Sequence, residues 1–120
     1  MASALSLSLT ELPPSANSIW RAVNGRVLKS RDYRAWMQAT ALVLRSQARG
    51  GRIEGPYAMH VQLVAPDRRR RDLDNRLKAL SDAITAAGLV DDDSFCRRIE
   101  AEWVPEGPSV RVWLVSTKGD

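Results

Sequence analysis

The chain has 120 residues, enough for one domain that buries a core without a disulfide or a structural metal. Hydrophobic residues make up 44%, and the single cysteine, Cys96, excludes an intrachain disulfide and hence a disulfide-stapled secreted scaffold. Lys and Arg number 18 against 14 Asp and Glu, a net charge of +4 that favours a polyanionic partner.

The first residues, MASALSLSLTELPPS, have neither a basic start nor a continuous apolar run, so they do not read as a signal peptide. No stretch approaches the roughly 20 apolar residues that span a bilayer. A soluble, cytoplasmic protein with no membrane partner is expected. Leu5, Leu7 and Leu9 alternate with Ser6, Ser8 and Thr10, which predicts a strand with one buried face. Pro13 and Pro14 end it, and residues 15–29 read as a loop. Ser30 is a suitable N-cap for a helix reaching about Arg49, with Tyr33, Trp36, Met37, Thr40 and Leu44 as its inner stripe and Gly50 and Gly51 as its stop.

Residues 57–65 alternate again and predict a second strand, in which His60, the sole histidine, fits a structural or surface role better than catalysis. Leu73, Leu77, Leu80, Ile84 and Ala87 mark a second amphipathic helix, closed by Gly88 as the C′ residue. Residues 89–95 read as a loop. Residues 96–104 and 110–115 predict two strands, joined as a hairpin through Pro105-Glu106-Gly107-Pro108. The order is therefore β-α-β-α-β-β. The expected fold is a single α+β domain over residues 1–120, a mixed sheet carrying two main helices.

The chemistry concentrates between Asp67 and Asp93, a span with seven acids and six bases, whereas the remainder has twelve bases and seven acids. On a helical wheel Lys78 and Asp82 fall about 40° and 80° from Asp74, well away from the apolar stripe at about 240–300°. Asp72 lies just before the helix and can point into the same space. The following loop returns three more acids, Asp91, Asp92 and Asp93. Clustered carboxylates with no His or Cys beside them suit Mg²⁺, or Mn²⁺ in its place, rather than zinc. Two such ions roughly 4 Å apart can activate a water and stabilise the leaving oxygen in phosphodiester hydrolysis, and a lysine among the acids can contact the scissile phosphate or help to orient and activate the water. Arg68, Arg69, Arg70 and Arg71 beside the acids would grip phosphates.

Each piece has a plainer explanation too. Asp74 and Lys78 could form an i,i+4 salt bridge, Asp72 could be a helix N-cap, and the acidic run or the arginines could be solvated loop. A helix of about 14 residues is also roughly 20 Å long. Asp93 can meet Asp72 and Asp74 only if its loop folds back or if it reaches a site across a subunit interface.

The segment PDRRRRDLDNRLKALSDAI followed by GLVDDD, together with PPSANSIWR near the N-terminus, closely resembles the RusA family of Holliday-junction resolvases. The match in order and spacing covers most of the chain. The resemblance implies that Asp72 and Asp74 are a metal-binding pair, that Lys78 is the essential lysine and that Asp93 is a third essential aspartate and metal ligand. It implies supporting roles for Asn75, Asp82 and Asp92 and a DNA-contacting role for Asn17, and gives little weight to Asp91. Ala16 stands where the family typically has a second Asn. A homodimeric, Mg²⁺-dependent enzyme that cuts opposed strands of branched DNA, with no small-molecule cofactor, is what the resemblance implies. Two other classes stay open: a non-catalytic DNA-binding module, and a metal nuclease acting on flaps or forks.

Overall fold

Alternation of large apolar and small polar residues makes the strands, and apolar residues three and four apart make the helices. The computed structural model describes residues 2–15, 20–23, 26–29, 31–69 and 71–118. Its elements are β1 (Ala4–Leu9), β2 (Trp20–Val23), β3 (Arg26–Lys29), α1 (Arg31–Ala48), β4 (Tyr57–Leu63), α2 (Leu77–Ala86), β5 (Cys96–Trp103) and β6 (Val110–Ser116), with short 3₁₀ turns at Asp74–Arg76 and Asp93–Phe95. The α+β class and the two main helices are as expected. No helix among the described residues is long and apolar enough to cross a membrane.

One four-stranded mixed sheet runs in the order β1-β6-β4-β5. β6 is antiparallel to both β1 and β4, and β4 is parallel to β5. Leu7, Leu9, Tyr57, Met59, Val61, Leu63, Val110, Val112 and Leu114 project from one face of this sheet. They form one core with Leu44 of α1 and with Leu80, Ala83 and Ile84 of α2. Trp36 and Met37 are only partly buried, but they pack against buried residues as the stripe required. At the sheet edge the Gln47 side chain both accepts from Ser8 N (2.8 Å) and donates to Ser8 O (2.9 Å). It thereby occupies backbone groups that an edge strand otherwise offers to another chain.

Two expectations are corrected. Residues 20–29 are not wholly loop: β2 and β3 pair antiparallel, with Val23 opposite Arg26. The dipeptide left between those partners is Asn24-Gly25, the strongest short hairpin signal, here flanked by strands too short to show alternation. The other correction concerns β5 and β6, which do not form a hairpin because β4 lies between them. The chain leaves β4, crosses through α2 and returns beside β4 as a parallel neighbour, which fills one edge of β4. β6 then takes the other edge. The connection passes over the end of β4, held by Val104 N to Leu63 O (2.8 Å) and Val64 N to Ser109 O (3.0 Å). A Pro-Gly turn in a sequence cannot by itself tell adjacent strands from strands that straddle a third. Ser30, assigned above as an N-cap, lies outside the described residues.

The end of α2 is decisive for the site. Gly88 has φ +75°. Its N–H donates to Thr85 O (3.0 Å) and the Leu89 N–H to Ile84 O (3.3 Å), the paired bonds of a Schellman cap. The chain reverses there. Ile53 N donates to Leu89 O (2.8 Å), and Ile53 bridges Val90 in a parallel pairing. With Leu89 and Val90 buried, the acidic loop starts from a fixed point.

Candidate active site

α2 shows two faces. Leu80, Ala83 and Ile84 are buried, whereas Lys78 and Asp82 lie on the polar side, joined by a 3.0 Å ion pair at i,i+4 spacing. The wheel placed Asp74 on the same regular helix. In the structure Asp74 opens a 3₁₀ turn, and α-helix begins only at Leu77. The tighter winding of about three residues per turn changes the direction in which Asp74 projects relative to Lys78.

The reversal at Gly88 carries residues 91–93 back along α2. Lys78 Nζ lies 3.9 Å from Asp93 Oδ2. The fold-back therefore occurs within one chain, and no subunit interface is needed to bring Asp93 to α2. Asp92 caps the 3₁₀ turn that presents Asp93, accepting from Ser94 N at 3.2 Å. The Ser94 hydrogen bonds hold the Asp92 carboxyl below its ordinary pKa, so it stays charged. Asp91 turns elsewhere: it pairs with Arg52 and accepts from Gly55 N at 3.0 Å. That is a structural tie, and it agrees with the small weight given to Asp91.

Lys78, Asp82, Asp92 and Asp93 thus line one open cleft with Met37 and Thr85. Lys78 stays charged above the ordinary lysine range, chiefly because it hydrogen-bonds Asp82 and secondarily because Asp93 and Asp92 attract it. At neutral pH it can stabilise anionic oxygen and donate hydrogen bonds, but it cannot take up a proton. Asp82 also accepts a hydrogen bond from the Tyr33 hydroxyl of α1. Sequence reasoning placed Tyr33 in the core stripe for its ring and missed this hydroxyl. The available signal was that a buried tyrosine O–H needs a partner.

Asp72 and Asp74 are exposed. Asp72 accepts from Asn75 Nδ2 at 3.2 Å. Among the described residues no hydrogen bond or ion pair joins either aspartate to the Lys78 cleft. Arg76 donates to Pro13 O at 2.8 Å, so the start of the helical region anchors the end of the segment after β1. Asn17 and Arg70 lie outside the described residues.

Of the other arginines, Arg68 and Arg69 are exposed, with Arg69 84% accessible. Arg71 is 14% accessible and committed inward: its Nη1 lies 2.7 Å from Asp67 Oδ1 and 3.3 Å from Arg69 O. This pairing, together with the Arg69 N–H, pushes the Asp67 carboxyl down to about 2. Arg71 thus shapes the loop that offers Arg68 and Arg69.

The donor chemistry fits a hard cation, since the acids here are all carboxylates. His60 is on the other face of the sheet, 2.7 Å from Glu102 and against Trp113, a surface role as expected. Among the described residues, however, no group of three His, Cys, Asp or Glu stands close enough together to hold a metal ion. Asp72, Asp74 and Asp93 have suitable oxygen atoms without being gathered.

The family model described as endodeoxyribonuclease RusA matches residues 11–114. The chain is 34% identical over 92 residues to the crossover junction endodeoxyribonuclease RusA of Aquifex aeolicus, covering 76% of this chain and 73% of that protein. It is 37% identical over 82 residues to the proteins of the same name from Escherichia coli K12 and from Enterobacteria phage 82, covering 68% of each chain.

Proposed function

The chain belongs to the RusA family of endodeoxyribonucleases, and from that premise we propose that it is a Mg²⁺-dependent enzyme that resolves four-way DNA junctions by cutting two opposed strands. The observation that carries the reading is the return of the acidic loop onto α2, with Lys78 between Asp82 and Asp93. A binding module gains nothing from Asp82, Asp92 and Asp93 lining a cleft where phosphate must approach. Incubation with a synthetic four-way junction and Mg²⁺ is expected to give nicks in two opposed strands, and an intact junction would count against the reading.

Asp72, Asp74 and Asp93 are the residues that would hold the cation. When bound, it supplies the Lewis acidity that lowers the pKa of a coordinated water and stabilises charge on phosphoryl oxygen. Lys78, held charged, meets a non-bridging oxygen of the scissile phosphate and stabilises the negative charge that builds there. Arg68 and Arg69 contact flanking phosphates, which fix register without reading sequence. Replacing both with alanine should weaken junction binding and reduce the slope of log affinity against log salt by about 0.9 for each duplex phosphate that the variant no longer neutralises. An unchanged slope would show that they face away from DNA.

A four-way junction is close to two-fold symmetric, and one chain supplies one site. A two-fold dimer offers two sites to opposed strands within a single complex. Equilibrium sedimentation at micromolar concentration should therefore give twice the 13.3 kDa chain mass, and a monomer in both free and junction-bound states would contradict it.

A further inference from the structure

Lys78 raises a problem of positioning. Its side chain is 53% accessible, and a lysine stem is among the most flexible in proteins. A cation that must meet one phosphate oxygen works only if its position is restricted. The structure contains such a restriction, and it starts in the core. Tyr33 of α1 is 2% exposed, packs with Ala79 of α2, and stacks on Trp36 with ring centroids 6.2 Å apart. Its hydroxyl donates to Asp82 Oδ2. The other oxygen, Asp82 Oδ1, holds Lys78 Nζ at 3.0 Å, and the same ammonium lies 3.9 Å from Asp93 Oδ2.

We infer that Tyr33 and Asp82 are positioning residues: the buried Tyr33 hydroxyl fixes the Asp82 carboxylate, and Asp82 in turn fixes the Lys78 ammonium over the cleft that faces Asp93. The inference rests on the functional reading above and extends it to a residue of α1 that touches no substrate. The arrangement divides the work between the two oxygens of Asp82, one facing a rigid neutral donor and the other a mobile cation. Burial raises the Tyr33 pKa, so the hydroxyl remains a donor throughout the neutral range. Asp82, with a side chain 12% accessible, cannot turn freely to water and give up its partners. A supporting shell of this kind holds a reacting group to within a fraction of an ångström.

Tyr33→Phe keeps the ring, its burial and its stacking, and removes only the hydroxyl. Single-turnover cleavage of a four-way junction in Mg²⁺ should slow roughly tenfold, as expected when a reacting group loses its alignment, while the junction Kd stays within twofold of wild type. A merely structural role would lower the melting temperature without separating rate from affinity. Asp82→Asn, whose amide oxygen can still accept from Tyr33, should also slow cleavage without weakening binding, because the charge that holds Lys78 is gone. In an Asp82→Ala background Tyr33→Phe should add less than twofold, since Tyr33 acts through Asp82. Wild-type cleavage by folded Tyr33→Phe, or an equal slowing in both backgrounds, would overturn the assignment. If Tyr33→Phe does not fold, a wild-type rate for Asp82→Asn overturns it instead. Wild-type cleavage that Asp74→Asn abolishes and Tyr33→Phe leaves untouched sinks this inference alone. A wild-type protein that leaves the junction intact sinks the functional reading and this assignment with it.

Discussion

Asp74→Asn is expected to remove junction cleavage, by roughly 10³-fold, while junction affinity stays the same or rises. In the proposed mechanism a bound cation's Lewis acidity would contribute several kcal/mol to the transition state, and each 1.36 kcal/mol is tenfold in rate. Replacing a charged carboxylate oxygen by an amide would then remove most of one ligand's contribution. The change is nearly isosteric. Asp74 is exposed at the first position of a 3₁₀ turn, where asparagine is at home. Its negative charge at a helical N-terminus contributes only about 0.3–1 kcal/mol, so the fold survives its loss. Removing an acid near phosphate cannot weaken binding electrostatically. A rate within a few fold of wild type in Mg²⁺, measured at saturating protein, would show that Asp74 holds no ion.

Leu80→Ala is expected to cost about 2–5 kcal/mol of stability, the range for truncating a fully buried leucine. Leu80 is 0% exposed and packs in the core that joins α2 to the sheet and α1. Two residues earlier, Lys78 projects from the opposite side, so the same ten-residue helix is anchored by one face and lines the polar cleft with the other. The midpoint of urea unfolding should fall with an unchanged m-value, because stability changes and the surface exposed does not. At a temperature where the variant is still folded, cleavage per folded molecule should change far less than for Asp74→Asn. A loss below 1 kcal/mol would mean that α2 does not pack on the sheet as described.

The reach of the sequence can be judged from particular residues. β1 and β4 were legible because one face is buried and the other wet, which imposes period two on Leu5 to Leu9 and on Tyr57 to Leu63. That Lys78 and Asp82 share a polar face was legible because both lie within regular helix, but the i,i+4 ion pair the sequence offered to Lys78 was with Asp74, and the one it forms is with Asp82. The wheel could not show that Asp74 stands in a 3₁₀ turn, which winds more tightly than the regular α-helix a wheel assumes. The approach of Asp93 to Lys78 depended on three local events: the Schellman cap at Gly88, the Ile53–Val90 bridge and the Asp92 cap. Gly88 could be read as a helix stop, but the direction of the chain beyond it is set by Ile53, remote in sequence. The Tyr33 hydroxyl was hidden for a related reason. Periodicity reports which ring faces inward and says nothing of the polar atom at its tip. Strand neighbours likewise depend on the whole sheet, and so β4 between β5 and β6 could not be read from the turn that joins them.

Cleavage of a synthetic four-way junction beside a linear duplex of matched sequence, each with Mg²⁺ and with EDTA, tests the central claim most directly. In Mg²⁺ the junction should be cut in two opposed strands at symmetric positions, the duplex should stay intact, and EDTA should stop all cutting. A junction left whole in Mg²⁺, cutting that persists in EDTA, or equal cutting of junction and duplex would contradict the account.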